Sequence, residues 1–187
     1  MLPEEGYGYL PITEVEPATL GAFTCGKPRL DEFLTTQARA LHEARLGFTN
    51  VVFHQQFEGP VGYFTLANDA IKLNDSEKFE LGFGEHIELA AFPAVKIGRL
   101  AVHQDLQRRG VGGALMALLL GDILNTAGLS AARLIVVDAD NDDAVLCFYE
   151  KLGFETSLWA EDMAKNHTKK RASAATIKMH RDVFKGL

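Results

Sequence analysis

The sequence predicts an α/β protein in which helices flank a mixed sheet. Runs of β-branched and aromatic residues alternate with segments whose apolar residues recur about every 3.6 positions. A central apolar strand, residues 95–102, leads through a glycine-rich turn into a long apolar helix. The order is roughly β, α, β, β, β, turn, α, β, α, β, β, which is a mixed α/β pattern.

The first half of the chain begins with a short strand at residues 8–11. Apolar residues then repeat with helical spacing over residues 30–46, and Pro28 stands just before this segment, where a helix tolerates proline. We expect one helix there, ended by Gly47. Residues 49–54 and 61–67 are rich in β-branched and aromatic side chains, which predicts an antiparallel hairpin.

The second half starts with a looser stretch, residues 68–92, that we expect to be a loop with at most a short helix. Asp142 or Asp143 is expected to cap the second of the helices that follow. The remaining predicted elements are strand 95–102, a helix over 114–127 stopped by Gly128, strand 133–138, helix 144–152, strand 154–158, a long connection over 159–175, and strand 176–180.

Length and composition indicate one globular domain over residues 1–187, with 47% hydrophobic and 24% charged residues. No signal peptide is visible, and the longest apolar run, residues 114–120, is too short to cross a bilayer. We therefore expect a cytoplasmic protein with no membrane partner. Cys25 and Cys147 have no metal-binding spacing, so we expect both to be reduced and structural, with no bound metal.

Charge is distributed unevenly along the chain. The net charge is −6, but residues 164–187 carry +6 and residues 1–163 carry −12. The basic segment contains seven lysines and arginines: Lys165, Lys169, Lys170, Arg171, Lys178, Arg181 and Lys185. It is either a solvated loop or a landing site for an acidic partner or an RNA backbone, whereas the acidic body repels polyanions.

The glycine-rich turn is a predicted anion site. It comprises Gln107, Arg108, Arg109, Gly110, Val111, Gly112 and Gly113. Backbone N–H groups at the start of a helix have no partner inside it and can point at an anion, while glycines let a ligand approach the backbone. The P-loop and the dinucleotide fingerprint are both excluded, because Ala114 and Leu115 stand where those motifs need other residues.

The turn matches the pattern Q/R-x-x-G-x-G/A, which resembles the pyrophosphate-binding signature of the GNAT family of N-acetyltransferases. The resemblance implies a mostly antiparallel twisted sheet with a splayed central strand pair, and acetyl-CoA as co-substrate. It assigns the pantetheine arm to the strand backbone at Leu100, Ala101 and Val102, and to Asn141. The stretch from Phe148 to Phe154 is similar to the closing F-Y-x-x-x-G-F motif, which implies that Tyr149 lies near the thioester sulfur.

The N-terminal half is similar to that of the acetyltransferase toxins of bacterial toxin–antitoxin modules. The similar segments are residues 23–34, 61–66 and 98–102. This resemblance implies that the acceptor is the α-amine of aminoacyl-tRNA, that translation is blocked, and that an antitoxin and a second copy of the chain are partners. Two features depart from it: the acidic body and a longer insert over residues 159–176.

Amine acetylation needs a proton donor for the leaving thiolate, and Tyr149 is the candidate general acid. The alternative is a core aromatic with a hydrogen-bonded hydroxyl. No general base stands out, because Lys96 and Arg99 are poor bases; Asp69, Glu85, Glu88 and His103 are candidates by position only. His103 also fits an ordinary loop histidine, and Arg99 is either salt-bridged on the sheet or in contact with the substrate.

The absence of an obvious base favours an α-amine acceptor. A lysine amine, with a pKa of about 10.4, needs help to lose its proton near neutral pH, but an α-amine with a pKa near 8 needs little. Two other functions stay open at this point. One is acetylation of a small amine or a protein N-terminus, and the other is a CoA-binding module without turnover.

Overall fold

A computed structural model describes residues 2–3, 5–125, 131–167 and 174–185 of the chain. Its strands are β1 (Tyr7–Pro11), β2 (Phe48–His54), β3 (Phe57–Ile71), β4 (Phe92–Val102), β5 (Leu134–Asp140), β6 (Glu155–Thr156) and β7 (Thr176–Asp182). Its α-helices are α1 (Pro17–Gly21), α2 (Pro28–Thr36), α3 (Ala38–Glu43), α4 (Asp75–Glu80), α5 (Val111–Asn125), α6 (Asp143–Lys151) and α7 (Leu158–His167). Short 3₁₀ helices occupy Ile12–Glu14 and Gln104–Leu106.

The seven strands form one sheet in the order β1-β2-β3-β4-β5-β7-β6. β1 and β2, and β2 and β3, pair antiparallel, which confirms the predicted hairpin. β7 pairs antiparallel with both β5 and β6. The predicted α/β class with a mixed sheet and flanking helices is therefore confirmed.

Backbone contacts divide the chain into two compact units. The first unit, Met1–Ala67 with Ile97–Thr126, has a core built from the N-terminal helices, β2 and β3. The second unit, Asn68–Lys96 with Ala127–Leu187, has a core between the end of β3, β4 and β5. The core residues of the second unit are Ile71, Leu73, Phe92, Ala94, Leu134 and Val136.

The predicted helix over residues 30–46 is two helices, α2 and α3, so this prediction was wrong. The chain bends at Gln37, whose φ of −118° departs from helical geometry. Arg39 fixes α3 separately, because its guanidinium donates to the carbonyls of Thr13 and Val15. Arg45 ends the segment with a left-handed φ of 57°, two residues before the glycine expected to do so.

The central strands are longer than predicted. β3 continues to Ile71, so the expected loop over residues 68–92 begins only after it. That stretch contains α4, whose N-terminus has a capping box: the side chain of Asn74 accepts from the Glu77 amide, and the Glu77 carboxylate accepts from the Asn74 amide. The sequence Asn-Asp-Ser-Glu carries this signal, which indicates a helix start rather than a loop.

The predicted strand over residues 154–158 was wrong beyond Thr156. Leu158 begins α7 because the buried carboxylate of Glu77 accepts hydrogen bonds from the amides of Leu158 and Trp159. The same carboxylate thus caps two helices, α4 and α7, in the second unit. α7 also occupies much of the stretch from residue 159 to residue 175 that was expected to be a connection. Three residues of the basic segment, Lys169, Lys170 and Arg171, lie outside the described residues.

Both cysteines are free, as expected, but their surroundings differ. Cys25 is buried in the first core, whereas Cys147 is exposed on α6, so a structural role fits Cys25 alone. Asp142 is the helix cap, since its carboxylate accepts from the amides of Ala144 and Val145. Within the described part of the chain, no helix is long and apolar enough to cross a membrane.

Replacement of Gly62 by alanine tests the packing of the first unit. A Cβ atom at Gly62 would lie 2.5 Å from the carbonyl oxygen of Ala101 and 2.5 Å from Leu115 Cδ2. Because the carbonyl belongs to the β4 backbone and cannot swing away, we expect Gly62→Ala to lower the free energy of unfolding by roughly 1–3 kcal/mol. Gly8→Ala is the control, since nothing lies within 4 Å of its Cβ position. Equal urea midpoints for both variants would contradict this packing.

The acid sensitivity of the second unit is predicted to depend on His180. The ring is 5% exposed, and its Nδ1 atom has no hydrogen-bond partner among the described residues. Burial lowers the pKa of His180 below 6.5, and the nearby charge of Glu77 only partly opposes this. The unfolded chain therefore binds a proton at a higher pH than the folded one, so stability is lost as pH falls below about 6.5.

The measurement is the free energy of unfolding between pH 7.5 and pH 5 for the wild type and His180→Gln. We expect the wild type to lose more stability over this range than the variant. The carboxylates with lowered pKa values, including Asp138 and Asp182, lose their contribution only as pH falls below their unfolded value of 3.8. Parallel curves for the two proteins would rule out His180 as the source.

Candidate active site

The turn before α5 has a fixed backbone shape. Arg108 and Gly110 both have positive φ, at 59° and 86°, so the backbone enters the left-handed region twice before the helix begins. Gln107 braces the turn from the side, because its Nε2 atom donates to the carbonyls of Cys25 at 2.8 Å and Val102 at 3.0 Å. The side chain of Gln107 thus holds the turn in place within the first unit.

The amides of this turn are open. Among the hydrogen bonds between described residues, none has a backbone N–H of residues 108–113 as its donor. The turn from Gln107 to Gly110 is exposed, whereas the Val111 side chain is 1% exposed and anchors the helix start in the core. A Cβ atom at Gly110 or Gly113 would meet nothing within 4 Å. This combination of free donors, open space and a helix N-terminus fits an anion such as a diphosphate.

The end of β4, just before the turn, packs against other residues of the first unit. Ala101 is buried against Gly62, while Leu100 and Val102 are half-buried. His103 is occupied structurally: its amide donates to the Val61 carbonyl, and its Nδ1 atom accepts from the Asp105 amide. These contacts fit the ordinary loop histidine and leave Nδ1 unavailable as a base.

Arg99 has no carboxylate partner among the described residues. Its guanidinium lies over the Phe33 ring, 4.7 Å from the ring centre, and its Nη1 atom donates to the Gly98 carbonyl. Its buried Nε atom has no hydrogen-bond partner in the described part of the chain. The geometry therefore does not support the salt-bridged alternative, and contact with the substrate stays a prediction.

Tyr149 differs from the other buried tyrosine of the protein. It is 6% exposed on α6, with the rings of Phe148 and Phe154 edge-on at 5.1 and 5.3 Å. Tyr63 donates its hydroxyl to the Leu30 carbonyl at 2.8 Å, but among the described residues the Tyr149 hydroxyl has no hydrogen-bond partner. The described residues therefore do not support the alternative that Tyr149 is a core tyrosine with a hydrogen-bonded hydroxyl.

Burial raises the pKa of Tyr149 well above its ordinary value of 10, and the negative charge of Asp140 adds to the rise. The phenol is therefore fully protonated at neutral pH. A protonated hydroxyl without an internal acceptor is equipped to donate a proton to a group that becomes basic during a reaction.

Asn141 has a structural task in the second unit. Its side-chain amide donates to the Ala174 carbonyl at 2.9 Å, and its backbone amide donates to the Ala175 carbonyl at 3.0 Å. These bonds hold the chain that enters β7 against the end of β5. The cofactor role assigned to Asn141 stays a prediction.

The positional candidates for a general base are poorly placed. Glu85 and Glu88 are exposed, and Asp69 accepts from the neighbouring Ala70 amide. Sequence analysis missed Asp138, a half-buried carboxylate bound by Lys96 and Lys178. Burial opposes its ionisation, but the hydrogen bonds and charges of the two lysines outweigh burial and lower its pKa. A carboxylate with a lowered pKa is a weak base.

No group of three or more metal-ligating side chains occurs within the described residues. The donors at the glycine turn are backbone amides and arginines, which suit an anion and not a metal ion.

A family model for the acetyltransferase (GNAT) domain matches residues 51–156, more than half of the chain. The chain belongs to this family. The match includes β4, the glycine turn, α5 and Tyr149. It confirms the acetyltransferase class inferred from the sequence. The individual site residues stay predictions, because a family match does not test them one by one.

One curated relative is a tRNA-acetylating toxin of Mycobacterium tuberculosis, 29% identical over 146 residues, which covers 78% of this chain and 82% of the relative. The fold is similar to that of AtaT in complex with acetyl-methionyl-tRNAfMet, with a TM-score of 0.72, 20% identity and coverage of 94% of each chain. A structure of AtaTR bound with AcCoA has a TM-score of 0.67 at 21% identity, and 93% of each chain is covered. At these identities, the structural matches establish the fold of this chain.

A pair of alanine variants on α5 tests the predicted diphosphate site. Gly113 is the third residue of the helix, and a methyl group there would project into the open space beside the free amides. We expect Gly113→Ala to lower CoA affinity at least about tenfold, or ~1.4 kcal/mol. The fold should be unchanged or slightly more stable, because alanine is preferred over glycine in a helix by roughly 0.5–1 kcal/mol.

The matched control is Gly121→Ala on the same helix, whose Cβ position also has nothing within 4 Å. It should gain similar stability without any effect on CoA binding. Calorimetric titration with CoA and thermal unfolding measure the two properties separately. Equal CoA affinity in both variants would show that the turn does not hold the diphosphate.

Proposed function

We propose that this protein is a cytoplasmic, toxin-like enzyme that acetylates the α-amine of aminoacyl-tRNA and thereby blocks translation. The family match establishes the acetyltransferase class. The similarity to the tRNA-acetylating toxin covers most of this chain and most of that toxin. The observation that carries the proposal is the turn with open amides before α5, which offers the coenzyme a site of the required chemistry.

The chain's contribution to cofactor binding follows from its donors. The amides of residues 108–113 would hold the diphosphate, and Arg108 and Arg109 would add charge at the exposed side of the turn. The backbone at Leu100, Ala101 and Val102, together with Asn141, is proposed for the pantetheine arm. Bound acetyl-CoA would supply the acetyl thioester that the acceptor amine attacks.

The reaction needs one proton donor for the leaving thiolate and requires the acceptor amine to lose a proton. Tyr149 would donate its hydroxyl proton to the leaving thiolate, because the phenol is protonated at neutral pH and its hydroxyl has no hydrogen-bond partner among the described residues. The amine must lose a proton, but the candidate bases are exposed, hydrogen-bonded or held ionised by lysines. An α-amine, with a pKa near 8, needs little help at neutral pH, whereas a lysine acceptor would need a base.

The proposed partners are an antitoxin protein and a second copy of the chain. AtaT has been solved bound to the C-terminus of the antitoxin AtaR, and KacTA in complex with DNA, both with folds similar to this one. If the toxin-like function holds, expression of this protein should arrest growth. Co-expression of an antitoxin encoded by a neighbouring gene should relieve that arrest.

Replacement of Tyr149 by phenylalanine tests the chemistry. Loss of the proton donor should lower the acetylation rate by about 10²- to 10⁴-fold, because general acid catalysis contributes by that factor. CoA affinity should stay unchanged, since the ring and its packing remain. Tyr9→Phe is the control: it also removes one hydroxyl, which bonds Asp122 at 2.6 Å in the first unit. The readout is acetyl transfer to purified aminoacyl-tRNA, followed by mass spectrometry.

The acceptor is identified by inducing the wild type and Tyr149→Phe in bacteria and analysing the aminoacyl-tRNA pool. N-acetylated species that depend on Tyr149 support the proposal. An unchanged pool with normal growth would instead favour a small cationic amine, which the acidic body of the chain would attract.

A further inference from the structure

Two lysines share one carboxylate at the junction of β5 and β7. Lys96 Nζ lies 2.5 Å from Asp138 Oδ2, and Lys178 Nζ lies 3.1 Å from Asp138 Oδ1. Asp138 is the register partner of Lys178 across the two strands. All three side chains are about one-third exposed, at 33%, 33% and 32%. We call Lys96, Asp138 and Lys178 the two-lysine cluster.

In the two-lysine cluster, two ammonium groups share one carboxylate. Each ammonium group has three N–H donors and contributes one polar contact to Asp138, so donors remain for another anion. The other ion pairs between described residues contain as much acid as base or more: Arg133 with Asp182, Lys185 with Glu155, Lys78 with Asp75, and Lys165 with Glu161 and Asp162. An incomplete neutralisation of this kind leaves a site for a phosphate.

The cluster lies close to the proposed proton donor within the second unit. Asp138 and Asp140 are two residues apart on β5, so they lie on the same face of the strand with Cα atoms about 6.7 Å apart. The charge of Asp140 acts on the Tyr149 phenol and raises its pKa. An anion bound at the cluster would therefore lie near the group that we assign to the chemistry.

The cluster also bears on how an acidic protein could bind RNA. Residues 1–163 carry a net charge of −12, which repels a polyanion at long range. Lys178 belongs to the basic C-terminal segment, and β7 brings it to Asp138 and Lys96. The fold thus concentrates positive charge locally where the body as a whole is negative.

We propose that the two-lysine cluster binds a backbone phosphate of the single-stranded 3′ end of aminoacyl-tRNA. This inference rests on the proposed function, because it assigns the RNA contact of the same acceptor. The alternative is a cluster that only joins β4, β5 and β7, and the two alternatives predict opposite effects for one variant.

The test compares Lys178→Gln, Asp138→Asn and the control Lys165→Gln, a surface lysine of α7. If the cluster binds phosphate, Lys178→Gln should raise KM for aminoacyl-tRNA about fivefold with little change in kcat. The slope of log affinity against log salt should fall by about 0.7, the value for one phosphate of a single strand. Asp138→Asn should lower KM, because it frees both ammonium groups. Lys165→Gln should change neither quantity.

A phosphate-free acceptor, the methyl ester of the same amino acid, separates binding from structure. Lys178→Gln and Lys165→Gln should acetylate this ester at the wild-type rate. Equal losses with ester and tRNA, or a higher KM for Asp138→Asn, would show a structural cluster and overturn the inference. Thermal unfolding of each variant checks that the fold is intact.

Binding of uncharged tRNA, followed by fluorescence anisotropy, separates this inference from the proposed function. If tRNA binding depends on Lys178 but aminoacyl-tRNA is not acetylated, the cluster stands and the proposed reaction fails. If aminoacyl-tRNA is acetylated and tRNA binding is indifferent to Lys178 and Asp138, the reaction stands and the cluster is structural.

Discussion

The proposed function depends on a short piece of backbone whose amide donors have no acceptor among the described residues. Folded chains satisfy nearly all their buried amides, and helix starts are usually capped by a side chain. Here the amides of residues 108–113 have no acceptor among the described residues, and the positive φ angles of Arg108 and Gly110 fix their directions. The Nε2 atom of Gln107 donates to the carbonyls of Cys25 and Val102 and so fixes the turn within the first unit. A coenzyme diphosphate would complete a set of hydrogen bonds that the protein leaves open.

In the proposed reaction, burial and charge in the second unit would govern proton transfer. Burial and the charge of Asp140 keep the Tyr149 phenol protonated, while two lysines keep Asp138 ionised. The phenol is therefore protonated at neutral pH, and the Asp138 carboxylate is a weak base. Such a site suits an acceptor amine that is already neutral in part near pH 7. That requirement connects the electrostatics of the site with an α-amine as acceptor.

Sequence reasoning succeeded where the signal is local. The strand, glycine turn and helix around residues 95–125 and the capped helix with Tyr149 are each encoded by adjacent residues, and their order identified the family. The errors came from distant contacts. Gln37 breaks a periodic helix where Arg39 binds two carbonyls about 25 residues away, and Glu77 starts α7 from a position about 80 residues earlier. Asp138 was missed for the same reason, since neither of its lysines is its neighbour in the sequence.

β7 brings Lys178, from the basic C-terminal segment, next to Asp138 and Lys96, and this contact suggests how the uneven charge of the chain could serve RNA binding. A uniformly basic surface would hold RNA strongly but without choosing which part of it approaches the site. An acidic body with a local excess of positive charge would weaken binding over much of its surface and favour binding at that point. With a screening length of about 8 Å in physiological salt, the attraction of the two-lysine cluster extends little beyond its immediate surroundings. The cluster would therefore select an end of the nucleic acid that can reach it, and a flexible single strand reaches it more easily than a rigid duplex.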